Sequence, residues 1–182
     1  MERFVGIHNF HNFTVQLAPE AQEARREVLS VAVTEEGGAW ARVRLLGRSF
    51  LLHQIRRMVG LAVAVALARA PADAIADALG TKEKRGISMA PAEGLFLAEV
   101  QFVNYTSRCN FVESLPISIA GIEEDVEAWT QTAIRAAVED LAPSAFGKWL
   151  GQPFLYEKTP SKWSRDSAAE DVELVDDAED AD

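Results

Sequence analysis

The chain has 182 residues, with 18 Lys and Arg against 28 Asp and Glu, and a formal net charge of −10. A charge of this sign argues against a nucleic-acid-binding protein, because phosphate contacts need clustered basic side chains. The distribution of the charge changes this conclusion. Residues 166–182 contain nine acids and no base, whereas residues 40–90 contain nine bases and three acids. The sequence therefore predicts a basic centre and a disordered acidic tail.

The cysteine and histidine content limits the chemistry that the chain could carry out. Cys109 is the only cysteine, which excludes an intramolecular disulfide, argues against a cysteine-based zinc site and fits a reducing, intracellular compartment. His8, His11 and His53 do not form a set with zinc-like spacing, so no metal is predicted. The most apolar stretch, 59–68, is about half of the ~20 residues that a membrane span needs, so we expect a core helix and no membrane contact.

The first third of the chain combines an aromatic motif with two strand patterns. Phe10 and Phe13 lie three residues apart, as on one face of a helix. Residues 28–33 predict a strand, and residues 40–46 predict a second strand in which arginines alternate with apolar residues. The Gly-Gly pair at 37–38 separates them and predicts an antiparallel hairpin with one basic and one buried face.

Two helices are predicted after the hairpin. Residues 50–69 predict one long helix, which ends before Pro71. A shorter helix follows, with Ile75 on its apolar face and Gly80 at its end.

The remaining patterns complete an α+β fold, with an antiparallel or mixed sheet and helices packed on one face. Residues 95–102 predict a strand, residues 123–141 a helix and residues 144–150 another helical turn. The sequence opens at Met1 directly on a structured-looking segment, so we expect an upstream partner segment. The predicted domains are a cleft domain at 1–108, a helical extension at 109–165 and the acidic tail at 166–182.

Arg56 is an unusual residue within the long predicted helix. Leu52 and Gly60 lie four residues away on its own side, so its surroundings are mostly apolar. Because an unpaired buried guanidinium costs several kcal/mol, Arg56 needs an anion or access to water. Two interpretations stay open at this point. Arg56 reaches solvent or pairs with Glu93 or Glu99, or its partner is a carboxylate or phosphate outside this chain.

Three sequence blocks resemble a known family. Residues 49–60 (SFLLHQIRRMVG) and 90–97 (APAEGLFL) are similar to the C-terminal half of TruA-type tRNA pseudouridine synthases. Residues 6–14 (GIHNFHNFT) resemble the eukaryotic branch of that family. The blocks follow the order and spacing of the family across residues 4–105, and the resemblance is weak beyond Tyr105.

The resemblance implies a cofactor-free isomerisation of uridine in RNA. The target nucleotide is flipped into a pocket, an aspartate attacks it, the glycosidic bond breaks, and the rotated uracil re-forms a C–C bond. In the family, that aspartate belongs to an Arg-Thr-Asp motif in the N-terminal half, and residues 1–182 contain no such motif. We therefore expect the isolated chain to be inactive and the N-terminal half of the same synthase to be its partner.

The same resemblance assigns roles to individual residues. Arg56 matches the arginine that pairs with the catalytic aspartate and keeps it ionised. Leu95 matches the leucine that packs against the flipped base. Phe50, His53 and Gln54 are further candidates for substrate contact, with the core as the favoured place for Phe50.

The resemblance also implies tRNA, and possible other RNA, as the partner, in the nucleus, the mitochondrion or both. The basic centre would contact the RNA backbone by charge and shape, and the His8–Phe13 block would border the RNA cleft. The predicted RNA-binding residues are His8, His11, Arg42, Arg44, Arg48, Arg57, Lys82, Lys84 and Arg85.

A second hypothesis is a non-catalytic RNA-binding or assembly protein that kept the fold and lost the chemistry. The missing Arg-Thr-Asp motif favours it, whereas the presence of Arg56 favours the enzyme, because the family role of that arginine is to serve the aspartate. Sequences typical of small-molecule enzymes, such as G-x-S-x-G, the P-loop or G-x-G-x-x-G, do not occur.

Overall fold

A computed structural model describes residues 1–15, 17–35, 40–106 and 121–158. These residues fall into two compact units. The first unit contains Met1–Met89 and the segment that begins at Phe154, and the second contains Ala90–Pro153. The predicted domain boundaries at residues 108 and 165 stay a prediction. The turn at 37–38, Cys109 and the acidic tail at 166–182 lie outside the described residues.

The first unit contains a three-stranded antiparallel sheet in the order β1-β2-β3. The strands are β1 (Gly6–Asn9), β2 (Arg25–Glu35) and β3 (Ala41–Gly47). The pairing of β2 with β3 confirms the predicted hairpin, with one irregularity in register between Val28 and Ser30. One face carries Val28 and Leu45 towards the core, and the other carries the arginines of β3.

Phe10 and Phe13 lie on one helical turn, as their spacing predicts, and this turn is a short 3-10 helix. Strand β1 ends at Asn9 and is followed by a single 3-10 turn, His11–Phe13. Phe10 and Phe13 are both fully buried, with ring centroids 5.6 Å apart. The spacing of three residues places both rings in the core through this tight turn, because one 3-10 turn repeats every three residues.

The long predicted helix at 50–69 is shorter in the structure. Helix α1 is Gln54–Ala66, and its buried face includes Met58, Leu61 and Ala64. His53 before it has a left-handed backbone with φ of 63°, and Ala68 after it has φ of 53°. The amides of residues 69 and 70 both donate to the Ala64 carbonyl, which ends the helix before Pro71.

The remaining elements of the first unit are a short helix and a small sheet. Helix α2 is Ala74–Gly80 and buries Ile75, as predicted. Strand β4 (Arg85–Ile87) pairs antiparallel with β5 (Tyr156–Lys158), so the end of the described chain returns to this unit. The Tyr156 hydroxyl donates to the Asp77 carboxylate at 2.5 Å and lies 2.9 Å from the Ala74 carbonyl oxygen.

Asn12 is a fully buried polar residue that connects three parts of the first unit. Its Nδ2 donates to the carbonyls of Ala78 at 3.0 Å and Glu83 at 3.2 Å. Its Oδ1 accepts the backbone N–H of Arg85 at 2.8 Å. One side chain therefore holds the 3-10 turn, the end of α2 and the start of β4 together.

The second unit is mainly helical, and the strand predicted at 95–102 is not formed. The side chains of residues 95–102 are exposed, and that of Leu97 is 78% accessible. No described segment of the second unit pairs with the backbone of residues 95–102. A strand needs a neighbour for its hydrogen bonds, which an alternating sequence alone does not supply. The helices are α3 (Val103–Thr106), α4 (Glu123–Trp129) and α5 (Arg135–Gly151), with a π-helical turn at Thr130–Ile134 between the last two. The predicted helical turn at 144–150 belongs to α5.

Candidate active site and RNA-binding surface

Arg56 lies in the first turn of α1 and is half-buried. The buried residues of the same helix, Met58 and Leu61, anchor it in the core of the first unit. The position of Arg56 is therefore set by a rigid element rather than by a loop, which suits a residue that must hold a charge in a fixed place.

The turn before α1 is fixed by Gln54, and this corrects the expectation that Gln54 contacts substrate. The side chain of Gln54 is fully buried. Its Oε1 accepts the backbone N–H of Leu51 at 2.8 Å, and its Nε2 lies 3.8 Å from the sulfur of Met58. With its amide used inside the fold and no accessible surface, Gln54 has the structural role of closing the turn that leads to Arg56.

His53 is the N-cap of α1 and is held in the left-handed region, with φ of 63° and ψ of 4°. Its carbonyl accepts the N–H of Arg57 at 3.0 Å and so starts the helix. A left-handed backbone costs an ordinary L-residue about 1–2 kcal/mol, and such strain is found most often near functional sites. The contact of its half-buried ring with substrate stays a prediction.

We expect His53→Gly to keep or raise the stability of the chain by up to about 1 kcal/mol, because glycine adopts this backbone freely. His53→Val should lower it by about 1–2 kcal/mol, because a β-branched residue with positive φ is strained. Urea unfolding of both variants measures the difference. Equal stabilities of the glycine and valine variants would contradict a strained start of α1.

Phe50 is half-buried and packs against the core, as favoured by the sequence. A Cβ atom on Gly47 would lie 2.7 Å from its Cζ and 3.0 Å from the Glu27 carbonyl oxygen. Glycine at position 47 therefore makes room for the Phe50 ring at the end of β3.

Arg57 and Lys84 form a second cationic feature of the first unit. Arg57 Nη1 donates to the Ile87 carbonyl at 3.3 Å, and burial lowers the pKa of its guanidinium. Lys84 Nζ donates to the carbonyls of His11 and Thr14, the latter at 3.3 Å. Burial, and then the charge of Arg57, lower the pKa of Lys84 to about 8. These three carbonyl acceptors could not be predicted from the sequence, because backbone acceptors leave no side-chain pattern.

His11 does not reach the surface, which corrects the expectation that it contacts RNA. Its side chain is 1% exposed, and its Nδ1 lies 3.1 Å from the Oδ1 of Asn9. Burial, and then the charge of Lys84, lower the pKa of His11, so its neutral form is favoured. The buried ring belongs to the core around the 3-10 turn.

Arg85 is also engaged inside the fold. Its Nε and Nη2 both lie 3.0 Å from the Oδ2 of Asp77, and Nη2 lies 3.4 Å from Glu83. Its guanidinium stands 5.9 Å from the centre of the Tyr156 ring. These contacts hold the guanidinium of Arg85 in place within the first unit, and its contact with RNA stays a prediction.

Other predicted RNA-binding residues lie at the surface. Arg42 and Arg44 stand opposite Thr34 and Ala32 on the hairpin, and together with Glu35 they line a shallow cavity of about 340 Å³. Two further basic residues, Arg48 and Lys82, are exposed, and the Nε of Arg48 lies 2.5 Å from Glu27. Their contact with RNA stays a prediction.

His8 lines a separate open groove of about 400 Å³, together with Arg3, Leu79 and Gly80. Its Nε2 lies 2.9 Å from the Val5 carbonyl oxygen, and its ring stands 6.0 Å from that of Phe10. This side chain is half-buried, and its contact with RNA stays a prediction.

Leu95 belongs to the second unit and is 47% exposed. Its N–H donates to the Ala92 carbonyl at 3.0 Å, so it follows a turn rather than starting a strand. Its packing against a flipped base stays a prediction.

In residues 1–15, 17–35, 40–106 and 121–158, no three His, Cys, Asp or Glu side chains come together to hold a metal ion. No helix within these ranges is long and apolar enough to cross a membrane.

The family model described as tRNA pseudouridine synthase matches residues 1–103. The chain belongs to this family. Its curated relatives include the "tRNA pseudouridine(27/28) synthase" of Saccharomyces cerevisiae, which is 39% identical over 59% of this chain and 29% of its own length. The human "Pseudouridylate synthase 1 homolog" is 42% identical over 58% of this chain and 25% of its own length.

A third relative matches most of this family member. The "tRNA pseudouridine synthase 1" of Candida glabrata is 30% identical over 92% of the chain, which corresponds to 32% of its own length. Similarity to the family therefore extends past Tyr105, although the sequence motifs showed only a weak resemblance there. The chain spans about a quarter to a third of the length of these three curated relatives.

Proposed function

We propose that this chain contributes the arginine-bearing part of a tRNA pseudouridine synthase, which converts uridine in tRNA to pseudouridine. The observation that carries the proposal is the family match across residues 1–103, which contains Arg56. The position of Arg56 in the first turn of α1, held by a buried helix face, supports this role.

In this proposal the nucleophilic aspartate comes from a segment outside residues 1–182. The guanidinium of Arg56 lowers the pKa of that carboxyl group, so the aspartate stays ionised and oriented. The reaction breaks the bond from C1′ to N1 of the base and forms the bond from C1′ to C5. The proton lost from C5 is balanced by the one gained at N1, so no oxidant, reductant or cofactor is needed.

The exposed basic residues of the first unit would hold the RNA during this reaction. Arg42 and Arg44 support this part of the proposal, because they stand two residues apart on one strand face. That spacing is about 7 Å, which lets both follow one RNA strand. Residence in the nucleus or mitochondrion stays part of the proposal.

The experiment measures pseudouridine in tRNA after incubation with the 182-residue chain, alone and joined to an N-terminal half that carries an Arg-Thr-Asp motif. We expect no conversion by the chain alone and conversion by the joined protein. Conversion by the chain alone would contradict an external nucleophile. A joined protein that binds tRNA without converting it would favour the non-catalytic RNA-binding protein.

A further inference from the structure

Arg57 and Lys84 are two half-buried cations of the first unit, and the charge of Arg57 is near enough to lower the pKa of Lys84. Within the described ranges neither of them forms an ion pair, although their neighbour Arg85 pairs with Asp77 and Glu83. Both donate to backbone carbonyls instead. Arg57 donates to the carbonyl of Ile87, and Lys84 donates to the carbonyls of His11 and Thr14.

In this arrangement of the described residues, the positive charges of Arg57 and Lys84 are not neutralised, and one N–H group of Arg57 has no acceptor. The Nε of Arg57 is buried and has no hydrogen-bond partner in the described residues. Carbonyl oxygens are neutral, so they orient the ammonium of Lys84 without cancelling its charge. Burial lowers the pKa of both groups, and the like charge of Arg57 lowers the pKa of Lys84 further. An anion placed between them would relieve the repulsion and accept the free N–H groups.

The chemistry of the pair suits a phosphodiester. Such a group carries one negative charge and two acceptor oxygens, so it can accept from the planar guanidinium of Arg57 and from the ammonium of Lys84 together. Consecutive residues on a helix point in different directions, so Arg57 can hold an RNA phosphate while Arg56 serves the reaction.

We propose that Arg57 and Lys84 together bind one phosphate group of the RNA backbone near the target uridine. The proposal rests on the proposed function, since that function supplies the RNA. It assigns to the pair a defined anion site, distinct from the arginines of the hairpin.

The first test uses inorganic phosphate and the full 182-residue chain. At equal ionic strength and pH 7, phosphate should raise the midpoint of thermal unfolding by about 2–4 °C more than chloride does. Arg57→Gln and Lys84→Gln should lose this additional shift, and Lys84→Arg should restore part of it. Arg135→Gln, which alters a surface arginine paired with Glu139 in the second unit, should keep it. Circular dichroism before heating shows which variants are folded.

An equal shift in wild type, Arg57→Gln and Lys84→Gln would overturn the anion site, because phosphate also stabilises proteins without binding. If Lys84→Gln fails to fold, the comparison of Arg57→Gln with Arg135→Gln decides alone.

The second test identifies the source of the phosphate group through tRNA binding at several salt concentrations. Loss of one phosphate contact should reduce the slope of log affinity against log salt by about 0.7–0.9 in Arg57→Gln. An unchanged slope would overturn the assignment to RNA, even if inorganic phosphate binds. Failure of the proposed function is visible separately, as tRNA binding by the joined protein without pseudouridine formation.

Discussion

Arg56→Ala should lower pseudouridine formation by about 100- to 5,000-fold in the chain joined to its N-terminal half. Removal of one partner from a buried ion pair costs about 3–5 kcal/mol, and each 1.36 kcal/mol in the barrier is a factor of ten. Arg56→Lys should retain more activity than Arg56→Ala, because lysine keeps the positive charge. It should remain below wild type, because lysine cannot form the bidentate contact of a guanidinium with a carboxylate. Single-turnover conversion of tRNA measures the chemical step directly.

The matched control for this experiment is Arg135→Ala. Arg135 is a half-exposed arginine of α5 that pairs with Glu139 one helical turn away, and pairs of this kind contribute little to stability. We expect its activity to stay within about twofold of wild type. A shift of the pH profile towards higher pH in Arg56→Lys would further indicate that Arg56 keeps a carboxylate ionised. Turnover by Arg56→Ala at the level of Arg135→Ala would contradict the ion pair.

Asn12→Asp should destabilise the first unit by about 3–5 kcal/mol, although the two side chains have nearly the same shape. The substitution removes the donor that serves the carbonyls of Ala78 and Glu83. It also places an acceptor in a fully buried position beside two carbonyl oxygens. Each unsatisfied buried group costs about 1–3 kcal/mol, and a domain has only about 5–15 kcal/mol in total. Urea unfolding followed by circular dichroism measures the loss.

Asn104→Asp is the matched control for Asn12→Asp, because Asn104 is exposed in α3 and the chemical change is the same. We expect a change within about 0.5 kcal/mol there. Equal effects at the two positions would contradict the role of Asn12 as the connection between the 3-10 turn, α2 and β4.

The sequence predicted the elements whose pattern is local. Alternating arginines in β3 and the apolar face of α1 both follow from side-chain periodicity, and the structure confirms them. The ends of α1 were not predictable, because they depend on the backbone conformations of His53 and Ala68. The prediction of a strand at 95–102 was wrong. A strand needs a neighbouring backbone to pair with, and the periodicity of one segment does not show whether such a neighbour exists.

The residues of the candidate site divide in the same way. Arg56 was found through its place in a specific sequence block, and the structure places it on a rigid helix. Gln54 and His11 were predicted to contact substrate or RNA because they belong to the same blocks, yet both are buried. Their polar groups stabilise the turns that carry the site. A motif thus records residues that shape a site as well as residues that act in it, and burial separates the two.

The pairing of Arg56 with an external aspartate is tested by the pseudouridine content of tRNA after reaction with the joined protein. Three forms are compared: wild type, a form with the aspartate of the Arg-Thr-Asp motif changed to asparagine, and Arg56→Ala. We expect conversion by wild type and a loss of at least about 100-fold in each variant. Conversion that depends on the aspartate but is unaffected by Arg56→Ala would contradict this pairing.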